Sequence, residues 1–183
     1  MKFSKTNFPI AKTRRFLEPG AVVLVSSAYK GERDIMTMGW HMMMDYTRIG
    51  CFIWDQNHSF SLIRKSRQCV INLPTFDLID AVIGVGNLHG SRDVDKFAKF
   101  GLTAAPASRV KAPLIAECYA NFECKLIDTS LINRYSLFVF DIVKAHVATS
   151  PKYPKTVHYR GDGVFMVSGK SISYRRRFKR VNL

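Results

Sequence analysis

Residues 49–74 read IGCFIWDQNHSFSLIRKSRQCVINLP and place a strand, a polar loop, a short helix and a second strand in succession. The apolar run 49–54 predicts a buried strand that ends at the polar loop. Ser59 can cap a helix over about 60–68, because apolar residues recur there at helical spacing. The apolar run 69–73 predicts another buried strand. Along the chain, turn residues fall between short apolar runs in this way, which is typical of an all-β or α+β domain.

Apolar runs bounded by turn residues predict further strands on both sides of this stretch. They lie at 20–27 (after the pair Pro19-Gly20), 35–44, 116–126 and 135–147. The run 116–126 alternates apolar and polar residues, so we expect one buried face and one exposed face. A polar turn is expected at 29–34, and the turn 158–163 before a last apolar run predicts either a tight hairpin or a lid.

Helical spacing predicts two more short helices. One covers 76–83 and is closed by Gly84; the other covers 93–100, with Asp93 or Ser91 as its cap and Gly101 as its stop. The total is six or seven strands and two or three helices. Long antiparallel strands that are apolar on one side close most easily into a barrel, because closure leaves no exposed edge. We therefore expect a mainly β (α+β) fold.

The composition indicates one domain over residues 1–183. Of these residues, 47% are apolar and 23% charged, close to the globular average. No apolar run approaches the roughly 20 residues of a membrane span, and the amino-terminal segment lacks a secretory signal, so we expect a cytoplasmic protein without membrane contact. The four cysteines show no metal-ligand spacing and are predicted to be buried, reduced thiols. We predict no metal site.

The net charge of +14 is concentrated at the two ends of the chain. Five basic residues lie at each end, within 2–15 and 175–180, and the remaining 18 bases and 14 acids leave a net charge of +4. A mildly basic body suits an anionic small molecule as well as a polymer. The basic extensions are consistent with solubilising ends, a subunit contact or a weak polyanion site.

The polar loop 55–61 is the first candidate binding segment. A loop that leaves a buried strand and opens a helix presents unpaired N–H groups and the positive end of the helix dipole, which is the outline of an anion site. An ordinary capped helix explains the same segment. The candidate residues that it contributes are Asp55, Asn57, His58, Ser59, Phe60 and Ser61.

Two further segments are candidates. In the first, Gly39 lacks a side chain between Thr37, Met38 and Trp40, which would let a flat aromatic ligand approach the backbone. A core strand filled with methionines is the alternative. In the second, the polar loop that contains Arg92 could close over a ligand, or it could simply lead into a capped surface helix. Motifs for dedicated dinucleotide folds and the common hydrolases are absent from the sequence.

The order of these segments resembles the flavin reductase-like family of FMN-binding split barrels, particularly its flavoredoxin branch. The similarity covers about residues 20–167. Seven short pieces carry it: PGAVVLVSS at 19–27, MTMGW at 36–40, NHSFSLI at 57–63, CVINLP at 69–74, DKF at 95–97, APLIAE at 112–117 and FEC at 122–124. Asp45-Tyr46-Thr47-Arg48 departs from the family, whose members often have Asp-Pro-Pro there.

The resemblance implies an antiparallel split barrel that binds FMN at a homodimer interface. It places the FMN phosphate near Asn57, His58 and Ser59. It places the isoalloxazine edge in the predicted strand 35–44, near Thr37, Met38, Gly39 and Trp40. By the same analogy Arg92 and Lys96 approach the cofactor.

With FMN the expected function is that of a flavin-dependent oxidoreductase. NADH or NADPH would pass hydride to flavin N5, and a small molecule or a protein would accept the electrons. Because the flavin carries this chemistry, no catalytic side chain is assigned. Two alternatives remain: a flavin-bound electron carrier without its own NAD(P)H site, and, placed last, a basic barrel that binds nucleic acid. The sequence lacks the interleaved aromatic and basic strand of single-strand binders.

Overall fold

The computed structural model describes residues 3–17 and 20–182. Lys2, from the basic amino-terminal group, and Pro19, from the pair that opens the first predicted strand, lie outside the described residues. No helix in the described ranges is long and apolar enough to cross a membrane. The strands are β1 (Lys5–Asn7), β2 (Val23–Tyr29), β3 (Glu32–Met38), β4 (His41–Met43), β5 (Arg48–Phe52), β6 (Gln68–Leu73), β7 (Ala104–Ala105), β8 (Leu114–Ile115), β9 (Ala120–Asp128), β10 (Leu137–Ala148), β11 (Val157–Gly161) and β12 (Val164–Val167).

Short helices connect or flank these strands. Single 3₁₀ turns lie at Ile10–Lys12, Phe76–Leu78, Arg175–Arg177 and Arg180–Asn182. The α-helices are α1 (Arg14–Leu17), α2 (His58–Ser66), α3 (Ile79–Asn87), α4 (Lys96–Lys99) and α5 (Ile132–Tyr135).

Eight strands form one antiparallel sheet in the order β3-β2-β6-β9-β10-β5-β4, with β1 also paired to β10. The two outermost strands, β3 and β4, are consecutive in the chain and are separated only by Gly39 and Trp40. The sheet therefore curls back on itself as a half-barrel, which confirms the predicted fold class. This sheet alone exceeds the predicted six or seven strands, and two separate hairpins, β7–β8 and β11–β12, bring the strands of the described residues to twelve.

Two main apolar clusters fill the fold, beside a third and much smaller one around Val70. The larger one packs the inner face of the curled sheet and includes Val25, Ile71, Phe122 and Phe140. The smaller one packs α3 and α4 against β2 and β3 and includes Leu24, Val82 and Phe97. All four cysteines are free and buried, as predicted. The smaller cluster sets the position of α3, which borders the candidate site.

Several local predictions were wrong, each for a physical reason. The turn expected over 29–34 contracts to Lys30 and Gly31, since both adopt positive φ and let β2 and β3 continue to the turn. The helix expected to close at Gly84 runs on to Asn87. The cap of α4 is Asp95, whose carboxylate accepts from two N–H groups of the first turn, and not Asp93 or Ser91. Gly101, with φ of 64°, is the predicted stop.

The face of residues 116–126 that was predicted to be exposed is largely buried. The strand starts at Ala120, and Asn121 and Glu123 on that face have no exposed surface. Asn121 donates to Asn72 across β6 at 2.7 Å. Alternation of apolar and polar residues was therefore a misleading signal, because these polar groups are satisfied inside the protein.

Glu123 anchors the loop that covers β9. Its carboxylate accepts hydrogen bonds from the N–H groups of Ser108, Arg109 and Val110, and from His146 Nε2 at 2.7 Å. Burial by itself raises the pKa of this carboxyl, but the bonds from His146, Ser108 and Arg109 outweigh it and lower the pKa. Glu123 thus stabilises the fold as a carboxylate.

We predict that Glu123→Gln lowers the free energy of unfolding by about 3 kcal/mol at neutral pH, since the bonds to the buried charge are lost. The native carboxylate stabilises the protein above its ordinary pKa, near ~4.3, and this contribution is lost as the pH falls through the lowered pKa. The difference between parent and variant should therefore shrink in acid, as measured by urea unfolding over a pH series. Asp93→Asn, at an exposed residue, is the control. A difference that does not vary with pH would contradict this account.

Candidate functional site

A cavity of about 820 Å³ opens between the end of β3, helix α3 and the β11–β12 hairpin. This volume is within the range of small-molecule sites. Its lining comprises Val22, Met36, Thr37, Met38, Gly39, Trp40, Phe52, Trp54, Asn57, Val82, Ile83, Gly86, Asn87, Tyr159, Gly163 and Phe165.

The first wall of the cavity is the break between β3 and β4. Thr37, Met38, Gly39 and Trp40 all line it, as the sequence analysis proposed for a flat ligand. The Trp40 ring is 72% exposed and lies 5.2 Å from the Phe52 ring, centroid to centroid. A Cβ built on Gly39 meets no atom within 4 Å, so the backbone there faces open space.

The second wall is α3, which packs closely against β3. The Thr37 hydroxyl donates to the Val82 carbonyl oxygen at 2.7 Å, and a Cβ on Gly86 would lie 3.4 Å from the Thr37 Cβ. On the other side of the helix a Cβ on Gly84 would lie 2.3 Å from the Phe100 ring. Both glycines therefore allow close packing. Because Gly84 was interpreted as the end of the helix, the sequence analysis did not predict that α3 lines the cavity. Two glycines within an otherwise helical run could have indicated close packing there.

The third wall is the β11–β12 hairpin. Of the hairpin and the lid predicted for residues 158–163, the structure therefore shows the hairpin. Tyr159, Gly163 and Phe165 project into the cavity lining. The N–H of Gly163 donates to the Tyr159 phenol oxygen at 3.1 Å, and the Tyr159 and Phe165 rings lie 5.1 Å apart. Sequence reasoning assigned no ligand contact to these residues.

Within the polar loop 55–61, Asn57 is the residue that lines this cavity. It is the N-cap of α2, and its side chain makes no cap hydrogen bond. His58 Nε2 lies 2.6 Å from Glu32 Oε1. Phe60 packs edge-on against Phe138 in the core.

Ser59 and Lys96 belong to a buried polar cluster behind the loop. The Ser59 hydroxyl donates to Asp34 Oδ2 at 2.6 Å, and Lys96 Nζ lies 3.1 Å from Asp34 Oδ1. Lys96 also donates to the Ile35 carbonyl oxygen at 2.7 Å. The Asp34 carboxylate occupies the place of a side chain at Gly90, where a Cβ would lie 2.7 Å from its oxygens. The cluster fixes the start of α2 against β3.

A second cavity of about 420 Å³ lies along the outer side of α2. Lys30, Lys65 and Arg92 line it together with a single acid, Glu32, whose other oxygen is 3.9 Å from Arg92 Nε. Ser61 also lines this cavity, and its hydroxyl donates to the His58 carbonyl oxygen. The excess of cations favours an anionic group.

The family model of the flavin reductase-like domain matches residues 14–165. The chain belongs to the flavin reductase-like family. Two uncharacterized relatives come from Pyrococcus abyssi, 30% identical over 68% of this chain and 72% of that protein, and Archaeoglobus fulgidus, 29% identical over 70% and 72%. The predicted family resemblance is thereby confirmed.

Solved structures share the fold of this flavin reductase-like chain. The FMN-binding domain of a flavin reductases-like enzyme from Shewanella baltica superposes with a TM-score of 0.87 at 23% identity, covering 94% of this chain and 98% of the other. Flavoredoxin of Desulfovibrio vulgaris gives 0.77 at 21% identity, covering 85% and 90%. At these identities the likeness establishes the fold.

The flavin reductase-like fold thus divides the twelve predicted site residues into three groups. Five line the large cavity: Thr37, Met38, Gly39, Trp40 and Asn57. Ser61 and Arg92 line the basic second cavity. Asp55, His58, Ser59, Phe60 and Lys96 line neither, and Asp55 is exposed with its carboxylate bonded to Gln56. Cofactor contact by these residues stays a prediction. The described residues hold no cluster of three or more metal-ligating side chains.

Proposed function

We propose that this protein binds FMN, with the ring system in the large cavity, and catalyses NAD(P)H-dependent oxidoreduction. The observation that carries the proposal is an aromatic cavity without charged lining residues in the described chain, next to a basic one along the same helix. The structural neighbours named above, one described as FMN-binding and one as a flavoredoxin, support it. NADH and NADPH remain equal candidates for the donor.

The large cavity fits a flat tricyclic ring. Gly39 leaves the backbone open to the cavity, and Trp40 and Trp54 offer exposed aromatic surface beside it. The polar edge of a flavin could be met by the Asn57 and Asn87 amides, because carbonyl and N–H groups of the ring need partners once buried.

The phosphate fits the α2 end of the site. Asn57 begins the helix at the large cavity, and Ser61 lies about one turn further on at the second cavity, so one helix borders both. The first N–H groups of α2 are directed away from the helix body and favour an anion. Arg92 is the charged residue of the predicted set that lines the second cavity, and it is mostly exposed.

When bound, FMN supplies the hydride chemistry. The side chains of this chain have the task of positioning the ring and excluding water from it. The described lining of the large cavity contains no carboxylate, imidazole, amine or guanidinium group. The Trp40–Phe52 and Tyr159–Phe165 ring pairs border the cavity on two sides.

We predict that comparing FMN with riboflavin, which lacks the phosphate, distinguishes residues that contact the ring from residues that contact the phosphate. Trp40→Ala should weaken both ligands about tenfold, because it removes aromatic contact with the shared ring. Arg92→Ala should weaken FMN about tenfold and leave riboflavin unchanged, because it removes a charged contact. Fluorescence quenching titrations of the apoprotein measure both affinities.

Lys99→Ala, an exposed cation on α4, is the matched control and should bind both flavins as the parent does. Ser59→Ala should weaken FMN alone if its hydroxyl turns from Asp34 to the phosphate, and parental affinity would place Ser59 outside the contact set. Failure of the parent to bind either flavin would overturn the proposed function.

We predict that NADH or NADPH reduces the FMN-loaded protein rapidly. Anaerobic stopped-flow mixing should show loss of the visible flavin absorbance at a rate that saturates with donor concentration. A flavin-bound electron carrier without its own donor site would bleach slowly or not at all with both nucleotides. That result would contradict the reductase function and favour the electron-carrier function.

We also propose that the protein forms a homodimer through β4 and the loop that follows it. β4 is an outermost strand, and Met42, Met44 and Tyr46 are exposed there beside Trp40. The two methionines cluster over Gly50, their side chains 3.7 and 3.3 Å from its Cβ position. Contiguous exposed apolar surface of this kind is typical of interfaces.

Light scattering should give twice the chain mass for the parent and the single chain mass for Met42→Glu/Met44→Glu. Ile172→Glu, at an exposed apolar residue far along the chain, is the control and should remain dimeric. A monomeric parent would refute the dimer.

A further inference from the structure

We propose that the β11–β12 hairpin forms a ring-binding wall that selects an uncharged, planar electron acceptor carrying a carbonyl or quinone oxygen. The inference rests on the proposed function and names the acceptor class that it leaves open. Tyr159 is the specificity-determining residue, and Gly163 and Phe165 hold it in place.

The charge distribution excludes anionic acceptors. Polar side chains in the large cavity are those of Thr37, Asn57, Asn87 and Tyr159, and none of the described lining residues is charged. A carboxylate or sulfonate brought into such surroundings loses its hydration without gaining a cation. The cations Lys30, Lys65 and Arg92 line the second cavity and are not part of this lining. An uncharged ring meets no such penalty.

Tyr159 is positioned before any ligand arrives. Its phenol oxygen accepts the Gly163 N–H at 3.1 Å, and its ring leans on Phe165, which itself packs against the cluster of Leu24 and Val82. The ring is nevertheless 55% exposed. A fixed and half-exposed aromatic face at a cavity is a surface for stacking another ring.

The Tyr159 hydroxyl supplies the polar part of the selection. Since its oxygen accepts from Gly163 and its proton is given to none of the described residues, the O–H can donate to a ligand oxygen. A carbonyl or quinone oxygen meets this donor. For a quinone, the hydride of NAD(P)H provides two electrons and one proton, a hydronium ion of the solvent provides the second proton, and the products are NAD(P)⁺, the hydroquinone and water.

Benzamide and benzoate test the inference, because they share shape and differ in charge. Binding to the oxidised, FMN-loaded protein at neutral pH is followed by the change in flavin absorbance and by calorimetry. Benzamide should bind about tenfold or more tightly than benzoate. Tyr159→Ala should weaken benzamide about tenfold, and Tyr159→Phe should weaken it less, since only the hydroxyl is lost.

Tyr153→Ala, at an exposed tyrosine outside the cavity lining, is the matched control and should leave benzamide binding unchanged. Benzoate binding as tight as benzamide, or unchanged benzamide binding in Tyr159→Ala, would overturn the inference while FMN binding stands. If the parent protein takes up no FMN, the titration cannot begin. That result would overturn the proposed function together with the inference.

Discussion

A buried ion pair between Asp34 and Lys96 joins the segments that surround the site. Asp34 lies on β3, Lys96 begins α4, Ser59 brings in α2, and Gly90 brings its loop against the same carboxylate. Removal of one partner of such a pair leaves an uncompensated buried charge, which typically costs about 3–5 kcal/mol. A pair of apolar residues could give equal stability. The ion pair also fixes geometry, because the Asp34 carboxylate meets both Ser59 and Lys96 only when β3, α2 and α4 come together.

This arrangement separates charge from the large cavity. Lys96 and Asp34 neutralise each other behind the first strand wall, and Arg33 pairs with Asp95 at 2.7 Å on the exposed side of α4. The cations Lys30, Lys65 and Arg92, with Glu32 as their one acidic neighbour in the lining, border the second cavity. Flavin mononucleotide, the proposed ligand, has an uncharged ring and an anionic phosphate, which correspond to the uncharged large cavity and to the basic second cavity. The net charge of +14 alone conveys none of this.

Local patterns in the sequence were sufficient for most of the strands and insufficient for pairings across the chain. Apolar runs located β5 and β6 within two residues, because burial on both faces leaves a continuous signal. Glu123 was misplaced on an exposed face, because its partners Ser108 and His146 lie 15 and 23 residues away in the sequence. Spacing along the chain likewise did not reveal that Ser59 donates to Asp34, 25 residues away, whereas contact of Ser59 with a ligand stays a prediction. Spacing cannot reveal a partner that only the fold supplies.

The glycines of the site show which contacts the fold itself requires. A side chain at Gly84 would collide with Phe100, and one at Gly90 with Asp34, so internal packing explains both. Gly39 differs, because its Cβ position is free of neighbours and its φ lies outside the left-handed region that favours glycine. Neither packing nor backbone conformation accounts for it. A bare backbone at the wall of the cavity is what the proposed approach of a flat ring requires, because any side chain at this position would take up space in which the ring would lie.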